Sequence, residues 1–248
     1  MSAAGAPRSD RILYGRRRHG HRLRKGRLAL LETALPRLAL NLPEDGGGIG
    51  DPGALFASAP RETWLEIGFG AGEHLVAQAQ AHPDIGFIGC EPYINGVASL
   101  LHRIASLDLA NLRILTDDAR LLIGALPDAC LGRVFLLFPD PWPKRRHHKR
   151  RFVQQANLDQ LARVMKDGAV FRCATDHGDY CRWTLAHVLA HPAFAWPVRR
   201  PTDWRTRPAD WPATRYELRT QAEGRPSVYL GFNRRPRSPS GEKNLEAA

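Results

Sequence analysis

Apolar residues along this chain fall into short runs separated by longer stretches with helical spacing. The runs Thr63–Ile67, Ile85–Cys90, Leu112–Leu115, Val134–Phe138 and Ala169–Ala174 are rich in branched and aromatic side chains and read as buried strands. Between and after them, residues 73–81, 94–107, 119–126, 152–165 and 178–190 carry apolar positions three and four apart, which predicts helices. Strands alternating with helices predict a parallel sheet covered by helices on both faces. Ser227–Asn233 reads as a final strand.

The ends of the chain differ from this middle. Residues 1–27 are basic and poor in large apolar groups, and the run from Arg16 to Lys25 carries too many like charges to pack by itself. It is expected to be a flexible arm until it meets an anion. Leu28 to Leu42 has helical spacing and stops at Pro43 and Gly46-Gly47-Gly48, so residues 28–59 read as a helix followed by a Gly-rich loop. Residues 60–235 form the α/β domain, and residues 236–248, with Pro and Ser and no periodicity, are expected to be disordered.

Charge sharpens the picture. The 248 residues hold 36 Lys and Arg against 25 Asp and Glu, a formal net charge of +11. A surplus of that size points to a polyanionic partner, because each neutralised phosphate releases condensed counterions. The cysteines, Cys90, Cys130, Cys173 and Cys181, show no Cys-x-x-Cys or Cys/His spacing, so they are expected to be free thiols, and no metal site is predicted. His187 and His191 stand four apart but lack a third ligand, and are expected on the surface. No apolar stretch approaches the about 20 residues of a membrane span, and no signal-peptide core is evident near the start. The expectation is a cytoplasmic protein with no membrane association and no obligatory protein partner.

The strongest local motif is Trp64-Leu65-Glu66-Ile67-Gly68-Phe69-Gly70-Ala71-Gly72-Glu73, a strand that turns through glycines directly into a helix. Gly68 and Gly70 permit a tight turn and a close backbone approach to a ligand, while the helix start offers unpaired N–H groups. Dinucleotide folds share such a turn, but their usual spacing is Gly-x-Gly-x-x-Gly. Glu66 sits inside the strand end, where a carboxylate repels a pyrophosphate but suits the ammonium of a methionine moiety; a strand-end salt bridge is the plain alternative. Glu91 ends the second strand run, the position that hydrogen-bonds ribose hydroxyls. Asp118, just past the third run, is a candidate for the adenine amino group, with Asp117 as a rival and a helix N-cap as the plain alternative. The Gly-x-Gly-x-Gly spacing and Glu66 favour S-adenosylmethionine over a nicotinamide cofactor, while Glu91 would serve either.

After the fourth run comes Phe138-Pro139-Asp140-Pro141-Trp142-Pro143, then an unbroken run of Lys, Arg and His from Lys144 to Arg151. Prolines on both sides hold Asp140 on a stiff platform at the carboxyl edge of the sheet, where open α/β sheets bind ligands. The basic run beside it reads as a phosphate-binding rim.

The block from Phe138 to Arg151 resembles the signature of the tRNA (guanine-N7-)-methyltransferase family, bacterial TrmB type. Leu65-Glu66-Ile67-Gly68-Phe69-Gly70, Ala174-Thr175-Asp176, Thr214-Arg215-Tyr216-Glu217 and the basic start from Tyr14 to Leu42 are similar to it as well. Pro143, Arg215 and Tyr216 depart mildly from its common residues. The resemblance implies a seven-stranded Rossmann-like S-adenosylmethionine methyltransferase sheet, mostly parallel, with the last strand antiparallel. It further implies that Glu66, Gly68, Gly70, Glu91, Asp118 and Asp140 hold S-adenosylmethionine and that Asp140 is catalytic. Lys144, Asp176, Thr214, Arg215, Tyr216 and Glu217 would contact the guanosine, and Arg146, His147, His148, Lys149, Arg150 and Arg151 would grip RNA. The implied substrate is guanine 46 in the variable loop of tRNA.

The chemistry suits those residue types. Guanine N7 presents an in-plane lone pair, so its attack on a sulfonium methyl needs no deprotonation, and alignment does most of the work. A carboxylate near the base can stabilise the positive charge it acquires, which favours an electrostatic role for Asp140 over a general base. Two other classes compete. A nicotinamide-dependent oxidoreductase accounts for the glycines and Glu91 but not for Glu66 or the loop at Asp140. A non-catalytic RNA-binding module with a degenerate methyltransferase fold sits poorly with acids retained at all these positions.

Overall fold

A computed structural model describes residues 20–237. The basic motif from Tyr14 to Arg18 and the residues from Ser238 onward lie outside the described range. The chain runs α1 (Lys25–Thr33), α2 (Leu35–Leu38), β1 (Glu62–Ile67), α3 (Glu73–Ala81), β2 (Ile85–Cys90), α4 (Ile94–Ile104), β3 (Leu112–Leu115), α5 (Ala119–Ala125) and β4 (Leu131–Leu137). It continues through α6 (Gln155–Val164), β5 (Met165–Thr175), α7 (Gly178–Leu189), β6 (Phe194–Ala195), α8 (Thr202–Arg205), α9 (Arg215–Ala222) and β7 (Val228–Arg234). Single 3-10 turns lie at Pro52–Leu55 and Arg145–Arg150.

The strands form one seven-stranded sheet in the order β3-β2-β1-β4-β5-β7-β6. β1 to β5 are mutually parallel, and β7 lies antiparallel to β5. This is the expected α/β architecture, with the last strand reversed. The strand order changes direction between β1 and β4, which opens a crevice at their carboxyl ends.

Side chains alternate across the sheet with the period of the pleat. Leu65, Ile67, Ile88 and Cys90 meet Leu122, Leu158, Leu161 and Tyr180 from α5, α6 and α7 on one face. Trp64, Ile85, Phe87 and Phe135 meet Leu75, Val76, Val97 and Leu100 from α3 and α4 on the other. Glu66, two residues from Trp64, therefore points to the α3 side.

The structure revises several boundaries. The helix expected over 28–42 is two helices: the first starts at Lys25, and the break at Ala34 precedes Pro36 at the start of α2. Proline lacks the N–H a continuing helix needs and restricts the residue before it. The chain then joins the sheet edge, with Leu40 N–H donating to the Ile114 carbonyl at 2.8 Å. Residues 20–27, expected to be part of the flexible arm, lie along α4. The Gly20 N–H donates to Asn95 Oδ1 at 3.0 Å, Asn95 Nδ2 donates to the His21 carbonyl at 2.8 Å, and Arg27 reaches Ser99 Oγ at 3.3 Å. β6, α8 and α9 were not anticipated.

Candidate active site

The crevice at the strand-order reversal is a cavity of ≈ 850 Å³. Glu66, Gly68, Gly70, Glu91, Asp118 and Asp140 all line it. The structure thus gathers every sequence-predicted cofactor residue from β1, β2, the start of α5 and the loop after β4 into one wall.

The glycine turn is built for close approach. Gly68 and Gly70 have φ of 71° and 56°, a region open mainly to glycine, and apart from the adjoining residues no atom of the described residues lies within 4 Å of where a Cβ would stand at either position. The turn is pinned by Glu91, whose carboxylate accepts from the Gly70 N–H at 2.8 Å and from the Tyr93 N–H at 2.9 Å. Glu91 therefore sets the spacing between the tips of β1 and β2 as well as facing the cavity. On the other side of the turn, buried Glu66 meets the imidazole of buried His74, Oε2 to Nδ1 at 2.7 Å.

Asp118 caps α5, accepting from the Arg120 N–H at 2.9 Å and from the Arg120 guanidinium. Asp117 instead accepts from the Asp118 N–H at 2.8 Å. Asp118 thus serves as the helix cap and Glu66 has the His74 imidazole as its partner, and each residue still faces the cavity.

The loop carrying Asp140 is bracketed by two aromatic residues with positive φ, Phe138 at 48° and Trp142 at 43°. Bulky residues in that region carry strain of about 1–3 kcal/mol each and persist only where surroundings over-determine them. Here the Phe138 N–H donates to the Ala174 carbonyl at 2.8 Å, and its ring tilts against Tyr216 at 5.2 Å. Trp142 lies between the His147 ring at 5.8 Å and the Arg150 guanidinium at 4.9 Å.

Arg151 corrects the sequence reading. It is 1% exposed, not part of a phosphate-facing rim. Its Nε donates to the Pro141 carbonyl at 2.9 Å, its NH2 reaches the Trp142 carbonyl and Asp179, and the guanidinium lies 4.8 Å from the Trp183 ring. Burial of Arg151 follows because Phe152 and Val153 enter the core directly after it. Among its neighbours, Lys144, Arg145, Arg146 and Lys149 are exposed, while His147, His148 and Arg150 are half-buried. Lost hydration and then the surrounding charges of Arg150, Arg146, Lys144 and Lys149 hold the His147 imidazole below the usual histidine range.

Helix α9 forms the remaining wall through Thr214, Arg215, Tyr216 and Arg219. Thr214 caps it, with its hydroxyl accepting from the Glu217 N–H at 3.2 Å. Glu73, the first residue of α3, accepts from the Arg215 N–H at 2.6 Å and pairs with the Arg215 and Arg103 side chains. Burial raises the Glu73 carboxyl, but the bonds and charges of Arg215 and Arg103 outweigh it and leave it below the usual carboxylate value.

Lys144, Asp176 and Glu217 do not reach the wall of this cavity. Asp176 pairs with Arg225 and is not the N-cap of α7, a position held by His177. Glu217, on the inner face of α9, is fully buried; its Oε1 accepts from the Tyr229 hydroxyl and its Oε2 has no partner among the described residues. Burial, then the bond and charge of Glu217, push the Tyr229 hydroxyl up to about 12.

Sequence reasoning missed Glu73, His74, Arg120 and Arg219, which also line the cavity. His74 left a signal: with Gln78 it places two polar residues four apart on the buried stripe of α3. His191 is buried and bonded to Asp159 at 3.0 Å, against its expected surface position. Trp211 is buried in a small cluster with Ala174 and Tyr229. No helix among the described residues is long and apolar enough to cross a membrane.

A family model described as "Putative methyltransferase" matches residues 60–230. A tRNA (guanine-N(7)-)-methyltransferase of Rhodospirillum rubrum is 53% identical over 235 residues, spanning 94% of this chain and 91% of its own. One of Nitrobacter hamburgensis is 49% identical over 221 residues, spanning 89% and 86%. Among solved structures, the 16S rRNA methyltransferase KamB aligns with a TM-score of 0.51 over 71% of this chain and 89% of its own; at 16% identity that likeness bears on fold alone. With the predicted motifs gathered on one cavity and these relatives matching nearly end to end, the chain belongs to the tRNA (guanine-N(7)-)-methyltransferase family.

Proposed function

We propose that this protein transfers the methyl group of S-adenosylmethionine to N7 of a guanine in tRNA, with guanine 46 of the variable loop as the acceptor. The observation that carries the reading is the convergence of Glu66, Glu91, Asp118 and Asp140 on one cavity with a basic turn at its mouth. The family relationship supports the choice of base and of N7.

The residues present fit the methyl donor. Glu66 offers a carboxylate to an ammonium, Glu91 to ribose hydroxyls and Asp118 to an adenine amino group, while the open space beside Gly68 and Gly70 admits a ligand against the backbone. A nicotinamide dinucleotide would bring its pyrophosphate toward Glu66, a repulsive pairing. When bound, S-adenosylmethionine supplies a sulfonium-activated methyl: the N7–carbon bond forms as the carbon–sulfur bond breaks, and that bond's electron pair passes to sulfur.

This chain's own task is alignment and charge. The strained loop between Phe138 and Trp142 holds the Asp140 carboxylate at the carboxyl end of β4, and the Tyr216 ring from α9 packs against Phe138 at 5.2 Å. Asp140 stabilises the positive charge that arrives on the base, and N7 has no proton to surrender. Lys144, Arg146, His147, Lys149 and Arg150 then supply the phosphate contacts. Asp176, paired with Arg225, and Glu217, buried on the inner face of α9 against Tyr229, take part in guanosine binding only if α9 shifts when tRNA docks. A cytoplasmic setting completes the reading, supported by the free, buried thiols of Cys90, Cys173 and Cys181. Transfer of a labelled methyl group to unmodified tRNA, with identification of the modified nucleoside, tests the proposal.

A further inference from the structure

His74 belongs to no expected role, yet its imidazole is 2% exposed and its Nδ1 stands 2.7 Å from Oε2 of Glu66, itself 4% exposed. A buried carboxylate needs a hydrogen-bonding partner to remain charged, and His74 is placed to be one. The other ring nitrogen, Nε2, is buried with no partner among the described residues, and so is the Nε1–H of Trp211. The two rings adjoin, with centroids 5.8 Å apart and planes inclined by 55°. Phe135 closes a further side, its ring edge-on to His74 at 4.7 Å.

That arrangement selects one tautomer. Indole nitrogen can only donate, whereas a neutral imidazole donates from one nitrogen and accepts at the other. If Nε2 carried the proton, Nδ1 would turn a lone pair toward the Glu66 carboxylate, two acceptors facing one another at 2.7 Å, and Nε2–H would be a buried donor with no acceptor among the described residues. With the proton on Nδ1, the bond to Glu66 is charge-assisted, and the atom left without a partner at Nε2 is an acceptor lone pair, next to a ring whose own nitrogen can only donate.

We infer that His74 is a positioning residue of the cofactor site: as the Nδ1–H tautomer it donates to Oε2 of Glu66, holding that carboxylate turned so that Oε1 meets the ammonium of the methionine moiety. The inference rests on the reading that Glu66 holds that ammonium. Segment 210–211, fastened to α3 by the Gln78 side chain donating to the Asp210 carbonyl at 2.6 Å and to β5 by the Arg172–Asp210 pair at 2.8 Å, keeps Trp211 against the ring. A region far from the glycine turn in sequence thus supports its central acid.

The test combines binding with a spectroscopic signature. In calorimetry with S-adenosylhomocysteine, His74→Phe keeps a ring but removes the donor, and is expected to weaken binding about tenfold or more, the worth of a charge-assisted bond. His74→Asn, whose amide nitrogen reproduces Nδ1–H, is expected to recover most of that loss. Nitrogen-15 correlation spectra of the unliganded wild-type protein at neutral pH are expected to show His74 protonated on Nδ1 only. An Nε2–H or doubly protonated ring overturns the inference, and this measurement stands even if the Phe variant fails to fold. Glu66→Gln separates the two levels. If it binds as tightly as wild type, the ammonium reading itself falls; if it weakens binding while His74→Phe does not, only the role of His74 falls.

Discussion

The guanidinium of Arg151 donates to the Pro141 carbonyl at 2.9 Å from a fully buried position, bracing the loop that carries Asp140 from behind. In the linear chain Arg151 is the last of a basic run; in the folded protein it is the fastening of the strained turn. Charge-assisted hydrogen bonds of this kind contribute roughly 1.5–3 kcal/mol each. Arg151→Ala is therefore expected to cost roughly 3 kcal/mol, lowering Tm by roughly 6–12 °C for a chain of this size, and to reduce kcat while leaving the salt dependence of tRNA binding unchanged. Thermal denaturation and filter binding across a salt series check this; a flattened salt dependence with unchanged Tm would return Arg151 to the surface.

The exposed cations of the same run should behave oppositely. Arg145, Arg146 and Lys149 face solvent. Replacing all three with alanine is expected to reduce the slope of log affinity against log salt by about 2 to 3 with Tm nearly unchanged. An unaltered slope would place the tRNA elsewhere on the molecule.

His147 links this rim to pH. Its lost hydration and cationic neighbours keep it below the usual histidine value of about 6.5, so it is mostly neutral at pH 7. A phosphate brought beside it favours the protonated ring, so binding takes up a proton and affinity rises as pH falls from 8 toward 6. Calorimetry in buffers of differing ionisation enthalpy measures that uptake, and His147→Asn is expected to diminish it. Equal uptake in the variant would assign the proton to another group.

Glu73 joins three helices, and its carboxyl lies below the usual value of about 4.3. The unfolded chain therefore binds the proton more tightly than the folded one. The stability this group contributes is fully present above about pH 4.3 and is lost as pH falls through the lower folded value. Glu73→Gln is expected to lower Tm at neutral pH and to lose part of the steep decline below pH 4.3. Superimposable Tm–pH curves for variant and wild type would contradict the joint.

The parallel strands were legible because each is buried on both faces, so hydrophobic runs such as Ile85–Cys90 mark them without ambiguity. Helix α9 was not, because Arg-Tyr-Glu-Leu-Arg-Thr-Gln-Ala buries Glu217 and Thr220 and exposes Leu218, the reverse of an amphipathic pattern. The cofactor acids were readable from their places at strand ends. The pairing of Glu66 with His74 was not, since it depends on which face of β1 the carboxylate takes and how α3 returns over it. The basic run concealed the difference between Arg151 and its neighbours, because a buried arginine and a solvated one look alike until the fold supplies Pro141 and Asp179.

The central claim is methyl transfer to N7 of a tRNA guanine, organised by Asp140 without a base. The most direct measurement incubates the protein with unmodified tRNA transcript and S-adenosylmethionine carrying a labelled methyl group, then cleaves the chain at 7-methylguanosine and maps the break. The account predicts one labelled position, guanine 46, near-complete loss of label with Asp140→Asn, and no ionisation of a base near neutral pH in kcat. Label that resists this cleavage, or a neutral-pH ionisation that disappears with the Asp140 carboxylate, would contradict it.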